Sequence, residues 1–319
     1  MAPFFTGVGK NLAGFGFGRE SSGGASGTTV TDEQTYVYSS NTVVSASRPG
    51  PSAGKEMQSV RFYVQGAGGG ANPTGPGNTD QSGGFTDYTH ESNLQDTYKL
   101  VIGQGGKPAS GGTAWGGGGD GASMPSRSQY GGGGGGGSFV FYSPITSFTA
   151  SNPYHSSIVV CSGGGGGAFN DSLPSNRGGR GGTSTGEDGQ RGTTGGGNGG
   201  GGTQVGGGAG GTQYPDSNAN AESGNDHQGG SGNQSGYEFA GGGGGGGYYG
   251  GGAGGSCISV CPGPTRNGSG GGGSSFYRSP EGTLNSWSQG IDTSHPKYDG
   301  ARGSAGEPGK ITIVWEWLE

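Results

Sequence analysis

Bulky apolar residues are scarce in this sequence. Only 26% of its 319 residues are hydrophobic, whereas 88 are glycine and 16 are proline. A conventional hydrophobic core of the size usual for this chain length is therefore not expected. No stretch approaches the roughly 20 consecutive apolar residues of a membrane-spanning helix, so membrane insertion is not expected.

Cysteine and basic residues are also few. The three cysteines, Cys161, Cys257 and Cys261, are too few for a disulfide scaffold, and the single pair in "CISVC" lacks the second pair of a zinc site. The net charge is -6 and the isoelectric point is about 5.2. Without a basic stripe, nucleic-acid binding is not expected, although arginines occur in "RGGRGG".

The glycine content alone is typical of low complexity or disorder, but two features argue against that interpretation. The net charge is small, and 9% of the residues are aromatic. The N-terminus "MAPFFTGVGKNLAGFGFGRE" lacks the basic start and continuous apolar centre of a signal peptide. We therefore expect an ordered protein that is synthesised and assembled inside a cell.

Short strand-like runs recur beside the glycines. Residues 28–47 are rich in β-branched and aromatic residues, and "SVRFYVQ" alternates with the period of a half-buried strand. Further strands are predicted at "YKLVI", "SFVFYS", "SIVVCS" and "GKITIVWEWL". The intervening polar stretches 71–97, 108–130, 212–240 and 277–308 are predicted to be surface loops.

The long glycine runs indicate a structure in which glycine is required at many consecutive positions. Ordering glycine costs about 0.5–1 kcal/mol more than ordering alanine. A polyproline-II helix of glycine has three residues per turn and no internal hydrogen bonds, so several such helices can pack side by side and bond laterally. Each lateral bond contributes a net ~0.5–1.5 kcal/mol, so a bundle can offset the cost but one helix cannot. We predict that the runs 131–137, 163–167 and 241–247 pack in one bundle.

The ordered succession "VRFYVQGAGGG", "YKLVIGQGG", "GGGGGGGSFVF", "SIVVCSGGGGGA", "GGGGGGGYYGGGAGG" and "GKITIVW" resembles a known family. It is similar to the glycine-rich domain of the anaplastic lymphoma kinase ectodomain, and to polyglycine bundles of phage tail-fibre adhesins, over about residues 58–315. The resemblance implies an all-β fold: a small β-sandwich or jelly-roll-like body joined to a bundle of polyglycine-II helices, with essentially no α-helix. Receptor signalling is not expected, because the signal peptide, the paired cysteines and the kinase of such receptors are not recognised in this sequence.

No motif predicts catalysis, a cofactor or a metal site. "GAGGGA" matches a dinucleotide fingerprint, but the residues that follow cannot form the required helix. The four histidines, His90, His155, His227 and His295, lack metal-ligand spacing and are predicted to be solvated loop residues. The expectation is a non-enzymatic protein.

Aromatic residues at the ends of glycine runs are the candidate recognition residues. Tyr248 and Tyr249 end one run, and Trp115 precedes another. Two interpretations remain open: these side chains plug the ends of the helices against the β-body, or they form a stacking platform for sugars or a partner surface.

Residues 1–27 form a Gly/Phe-rich leader, and residues 28–319 the folded domain. The leader cannot bury Phe4, Phe5, Leu12, Phe15 and Phe17 by itself, so these residues are predicted to contact a larger assembly.

Three functions compete. The first is an adhesin or fibre protein exposed on the virion of a tailed phage, homo-oligomeric, joined to other virion subunits and binding a host glycan or outer-membrane protein. The second is a bacterial cell-surface or self-assembling filament protein. The third, a fibre-displayed enzyme such as a depolymerase, lacks a paired-carboxylate motif.

Overall fold

The computed structural model describes most of the chain. The described residues are 27–70, 81–107, 112–124, 129–142, 144–152, 154–168, 177–190, 196–213, 221–232, 241–256, 268–290, 294–298 and 306–319. They form an all-β fold without an α-helix, as the sequence predicts. The leader residues 1–26, including the five predicted contact residues, lie outside this part of the chain, as do Cys257 and Cys261.

Two five-stranded antiparallel sheets form the body. The first sheet has the order β1 (Thr29–Val37), β12 (Lys310–Leu318), β3 (Met57–Gln65), β4 (Phe85–His90) and β11 (Gly282–Ser288). The second has the order β10 (Phe276–Tyr277), β9 (Ile158–Ser162), β8 (Ser138–Tyr142), β5 (Thr97–Val101) and β2 (Val44–Ser47). β6 (Ser123–Met124) and β7 (Gln129–Tyr130) pair antiparallel and form a separate two-stranded sheet.

The sheets pack face to face over one hydrophobic core. Alternate residues of β12, namely Ile311, Ile313 and Trp315, are fully buried. The ring of Phe62 on β3 meets the ring of Tyr98 on β5 edge-on at 5.0 Å between centroids. This contact joins the inner faces of the two sheets, because β3 and β5 belong to different sheets.

The second sheet is buried on both faces. Val140 belongs to the core between the sheets, whereas Phe139 and Phe141 pack on the opposite face with Phe148. A strand buried on both sides is apolar at consecutive positions, which explains the unbroken runs "FVF" and "IVVC".

The predicted strands at 59–65, 98–102, 138–143, 157–162 and 309–318 are confirmed with small shifts in their ends, and 28–47 divides into β1 and β2. The prediction of surface loops at 71–97 and 277–308 is wrong in part, because they contain β4 and β11. Both strands are rich in polar residues, and β4 is buried through contacts that sequence patterning does not reveal. The loops predicted at 108–130 and 212–240 likewise contain segments that bond laterally to the glycine runs, at 116–122, 221–225 and 228–232. We call each segment of this bundle a rod.

The glycine runs continue directly from the strands. The run 131–137 leads into β8, and the run 163–168 follows β9. All seven backbone amides of 131–137 donate to other parts of the chain at 2.8–3.1 Å, which is within the ordinary range for such bonds. The bonds are Gly131 to Ala122, Gly132 to Ala168, Gly133 to Lys107, Gly134 to Gly119, Gly135 to Gly165, Gly136 to Gln104 and Gly137 to Gly116.

The neighbours of this run repeat every third residue. Positions 131, 134 and 137 donate to the rod 116–122, positions 132 and 135 to 163–168, and positions 133 and 136 to 102–107. A repeat of three residues per turn is that of a polyglycine-II helix. The rod is therefore held by its neighbours and not by bonds along its own length.

The three runs predicted to share a bundle contact one another. Gly135 donates to Gly165 at 2.8 Å, Gly164 donates to Gly246 at 2.7 Å, and Gly243 donates to Gly132 at 3.0 Å. The prediction that these runs bond to each other is confirmed. The closeness requires glycine: a Cβ atom on Gly164 would lie 2.1 Å from the carbonyl oxygen of Gly135, well inside van der Waals contact.

Candidate functional site

The bundle has two ends of different character. At the body end, glycines adjoin the strands, as shown by the bond from Gly84 to Gly163 at 2.8 Å. At the far end, Ala168 donates to Gly70 at 3.1 Å and Gly132 donates to Ala168 at 2.8 Å. The position of each candidate residue can be described relative to the body end and the far end of the bundle.

All three predicted recognition residues lie at the body end. Tyr248 and Tyr249 form the turn between the antiparallel rods 241–247 and 250–256, and Trp115 immediately precedes the rod 116–122. All three side chains are half-buried. The structure thus brings them to the junction between the bundle and the outer face of the second sheet.

The side chains of Tyr248 and Tyr249 pack against other aromatic rings at the body end of the bundle. The ring of Tyr248 stacks on Phe276 at 4.3 Å with an angle of 8° between the planes. Tyr249 meets Tyr248 edge-on at 5.3 Å. Burial raises the pKa of Tyr248. Their main contacts are internal, which favours the first of the two interpretations made from sequence.

His155 lies beside these tyrosines. Its ring stacks on Tyr248 at 4.4 Å, and its Nε2 atom is 3.2 Å from the Tyr248 carbonyl oxygen. The same nitrogen is 3.6 Å from Oδ1 of Asp226. Since both partners are acceptors, Nε2 carries a hydrogen. The histidine ties the end of the bundle to the sheet.

His227 is fully buried at the next turn between rods. Its Nε2 accepts the backbone N–H of Tyr154 at 3.0 Å, and its Nδ1 is 3.3 Å from the carbonyl oxygen of Gly247. These partners require the neutral ring with its hydrogen on Nδ1. Burial lowers the pKa of His227 to about 4.

The prediction of solvated histidines is therefore wrong. His90 is also fully buried, and burial lowers its pKa to about 4, while His155 and His295 are partly buried. Each histidine occurs in a polar sequence, so local composition gives no sign of this burial. The aromatic partners that bury them come from distant parts of the chain.

A second polar cluster covers the outer side of the first sheet. Asp87 on β4 is buried and accepts two hydrogen bonds from Arg61, at 2.8 and 2.6 Å. Asn285 donates to Asp87 at 3.0 Å, and Nε2 of His295 is 3.1 Å from Asp87 Oδ2. This carboxylate is fully engaged in holding β3, β4, β11 and the segment 294–298 together.

An open groove lies beside Trp115 and has a volume of about 240 Å³. Its floor and walls include Trp115, Phe148 and the backbone of Gly116–Gly118. Its rim carries polar side chains: Asn41, Thr113, Thr149, Ser151 and Gln228. Sequence reasoning identified Trp115 but missed the groove, because Phe148 and Asn41 are distant in the chain.

Within the described ranges, no group of three or more His, Cys, Asp or Glu side chains is placed to bind a metal ion. The same residues contain no helix long and apolar enough to cross a bilayer.

Several rods have described ends that lie side by side at the far end of the bundle. Gly242 donates to Gly268 at 3.1 Å, and Ala221 donates to Gly211 at 2.9 Å. Residues 71–80, 125–128, 169–176, 214–220, 233–240 and 257–267 lie outside the described residues.

In comparisons with known proteins, no family model matches this chain, and no curated protein matches its sequence.

Proposed function

We propose that this chain is a non-enzymatic structural and receptor-binding protein of an exposed virion appendage of a tailed phage. It attaches to other virion subunits through the leader 1–27 and presents the far end of its bundle to the host surface. The receptor is a host glycan or an outer-membrane protein. The protein works as a homo-oligomer.

The observation that carries the proposal is the common axis of the described rods, which run between the β-body and one far layer. Among the described residues, several rods have their ends side by side in one far layer, as at Gly70, Gly132 and Ala168, so these ends share one side of a rigid support. Recognition surfaces are commonly built from loops that are held on a rigid scaffold.

The polar side chains of the body fit a structural role. Asp87 is neutralised by Arg61 and engaged by Asn285 and His295, and His227 uses both ring nitrogens within the fold. These groups stabilise the packing of the strands and turns. These contacts support the structural part of the proposed role.

Mass spectrometry of purified phage particles tests the proposal. We expect this polypeptide in the particles, and we expect the purified protein to compete with the particles for adsorption to host cells. Particles without the polypeptide would contradict the proposal. Homopolymeric fibres in negative-stain images would support the filament alternative.

The leader provides a second test. Deleting residues 2–20 should leave a folded protein that no longer enters particles, because the proposed attachment residues Phe4, Phe5, Leu12, Phe15 and Phe17 are removed. Normal incorporation of the truncated protein would contradict the assigned role of the leader.

A further inference from the structure

The groove beside Trp115 combines an aromatic wall with a polar rim. Trp115 packs edge-on against Phe148 at 5.5 Å between ring centroids, and both side chains line the groove. Phe148 in turn stacks on Tyr154 at 5.7 Å. The aromatic wall is therefore supported from behind by the buried cluster of the second sheet.

The backbone around Trp115 is fixed. Its N–H donates to the side-chain oxygen of Gln104 at 3.2 Å, and its carbonyl accepts the N–H of Gln104 at 2.8 Å. Gly116 and Gly117 follow with φ angles of 90° and 87°, which favour glycine. A Cβ on Gly117 would lie 2.0 Å from the carbonyl oxygen of His227. A wall fixed in this way needs little ordering when a ligand binds.

The rim offers neutral hydrogen-bonding groups. Asn41 uses its amide oxygen to accept from Tyr38 at 2.6 Å, which leaves its amide nitrogen as a donor to a ligand. Thr113, Thr149 and Ser151 are exposed hydroxyls at the same groove, and Gln228 adds a second amide. Together they can donate to and accept from several hydroxyl groups.

The described lining carries no charged side chain. A carboxylate or phosphate ligand would therefore find no opposite charge there to offset its desolvation. The groove is also smaller than the roughly 300–1,000 Å³ of sites for drug-sized molecules. Its size and chemistry match a single neutral ring with an apolar face and a periphery of hydroxyls.

We propose that this groove binds one neutral sugar residue of a host glycan. The apolar face of the pyranose ring lies on Trp115, and its hydroxyl groups bond to Asn41, Gln228 and the rim hydroxyls. The site is at the body end of the bundle, so it is distinct from the far-end recognition surface. This inference rests on the proposed receptor-binding function and names the chemical class of one of its ligands.

The test is a binding titration of the full chain by saturation-transfer NMR. The probes are the methyl glycosides of glucose, galactose, mannose and N-acetylglucosamine, with N-acetylneuraminic acid and glucuronic acid as charged counterparts. We expect at least one neutral glycoside to bind with a millimolar Kd, and both acids to bind at least about ten-fold more weakly.

Substitutions locate the site. Trp115→Ala should weaken binding of the neutral glycoside at least about ten-fold, since it removes the aromatic wall. Trp287→Ala is the matched control: Trp287 is another half-buried tryptophan, packed edge-on against Tyr277 at 5.4 Å and outside the groove. It should leave the affinity unchanged. Thr149→Arg, at an exposed rim position, should also block binding and tests the site if Trp115→Ala fails to fold.

The outcomes separate the two proposals. Absence of binding by every neutral glycoside at tens of millimolar, or equal affinity in wild type and Thr149→Arg, overturns the sugar site. If the protein nevertheless competes for host adsorption, the proposed function stands without this groove. If sugar binding depends on Trp115 but the polypeptide is absent from particles, the groove stands and the proposed virion function fails.

Discussion

The backbone amide of Gly135 donates to the carbonyl oxygen of Gly165 at 2.8 Å, which joins two glycine runs that belong to neighbouring strands of one sheet. Gly135 lies before β8 and Gly165 lies after β9, and these strands are antiparallel partners. The pairing of the strands therefore continues into the bundle, although the hydrogen-bond pattern changes from the two-residue period of a sheet to a three-residue period. The sheets bring the rods to adjacent positions, and the absence of side chains lets the rods make contact.

Hydrogen exchange should report these lateral bonds. We expect the amides of 131–137 to exchange about a thousand-fold or more slowly than unprotected amides, because all seven donate to neighbouring rods in the interior. NMR of protein labelled with ¹⁵N-glycine measures the rates. The exposed turn residue Gly54 serves as the fast-exchanging control. Equal rates for Gly54 and Gly134 would argue against a packed bundle.

The Arg61–Asp87 pair should matter for stability. Arg61→Met removes two charge-assisted bonds from a buried carboxylate while keeping an apolar stem over the sheet. Because Asp87 keeps Asn285 and His295, we expect a loss of about 2–4 kcal/mol in the free energy of unfolding.

Urea unfolding checks this value, and Lys55→Ala is the control. The side chain of Glu319, the partner of Lys55, is 50% exposed, whereas that of Asp87 is 2% exposed, so the loss of Lys55 should cost less than about 1 kcal/mol. Similar effects of the two substitutions would mean that Asp87 is not held as the structure indicates.

Burial of His227 predicts a dependence of stability on pH. Its pKa in the folded protein, about 4, lies below the unfolded value of 6.5. Between these values the unfolded chain binds more protons, so this contribution to stability is complete above pH 6.5 and falls as the pH drops toward 4. The contribution amounts to at most about 3 kcal/mol.

His227→Asn isolates that contribution. His227 has a φ angle of 57°, a conformation that asparagine tolerates, so the turn is preserved. Unfolding measured at pH 7.5 and pH 5 should show a smaller loss of stability on acidification for the variant than for the wild type. An identical loss in both proteins would contradict the burial of a neutral His227.

The parts of this structure differ in how well the sequence predicts them. The glycine bundle was predictable because backbones can pack this closely only where the residues are glycine, so the sequence contains long glycine runs. Most strands were predictable from alternating apolar and polar residues or from apolar runs such as "IVVC". β4 was not predictable, because "FTDYTH" is stabilised by Arg61 and His295 from elsewhere in the chain. The groove was equally hidden, since it depends on the contact of Trp115 with Phe148.

The most direct test of the packed bundle compares two adjacent glycines in one rod. A Cβ on Gly134 would lie 1.9 Å from the carbonyl oxygen of Gly244, whereas a Cβ on Gly133 would have its nearest neighbour, the carbonyl oxygen of Gly119, at 3.4 Å. Gly134→Ala must therefore push rods apart and break lateral bonds, and Gly134→Val more so. Gly133→Ala introduces the same methyl group where there is room for it.

The measurement is the free energy of unfolding of Gly134→Ala and Gly133→Ala beside the wild type. We predict a loss of about 3 kcal/mol or more for Gly134→Ala, from separated rods and unpaired backbone groups. For Gly133→Ala we predict a change within about 1 kcal/mol of the wild type. Equal effects of the two substitutions would contradict a bundle of closely packed polyglycine rods.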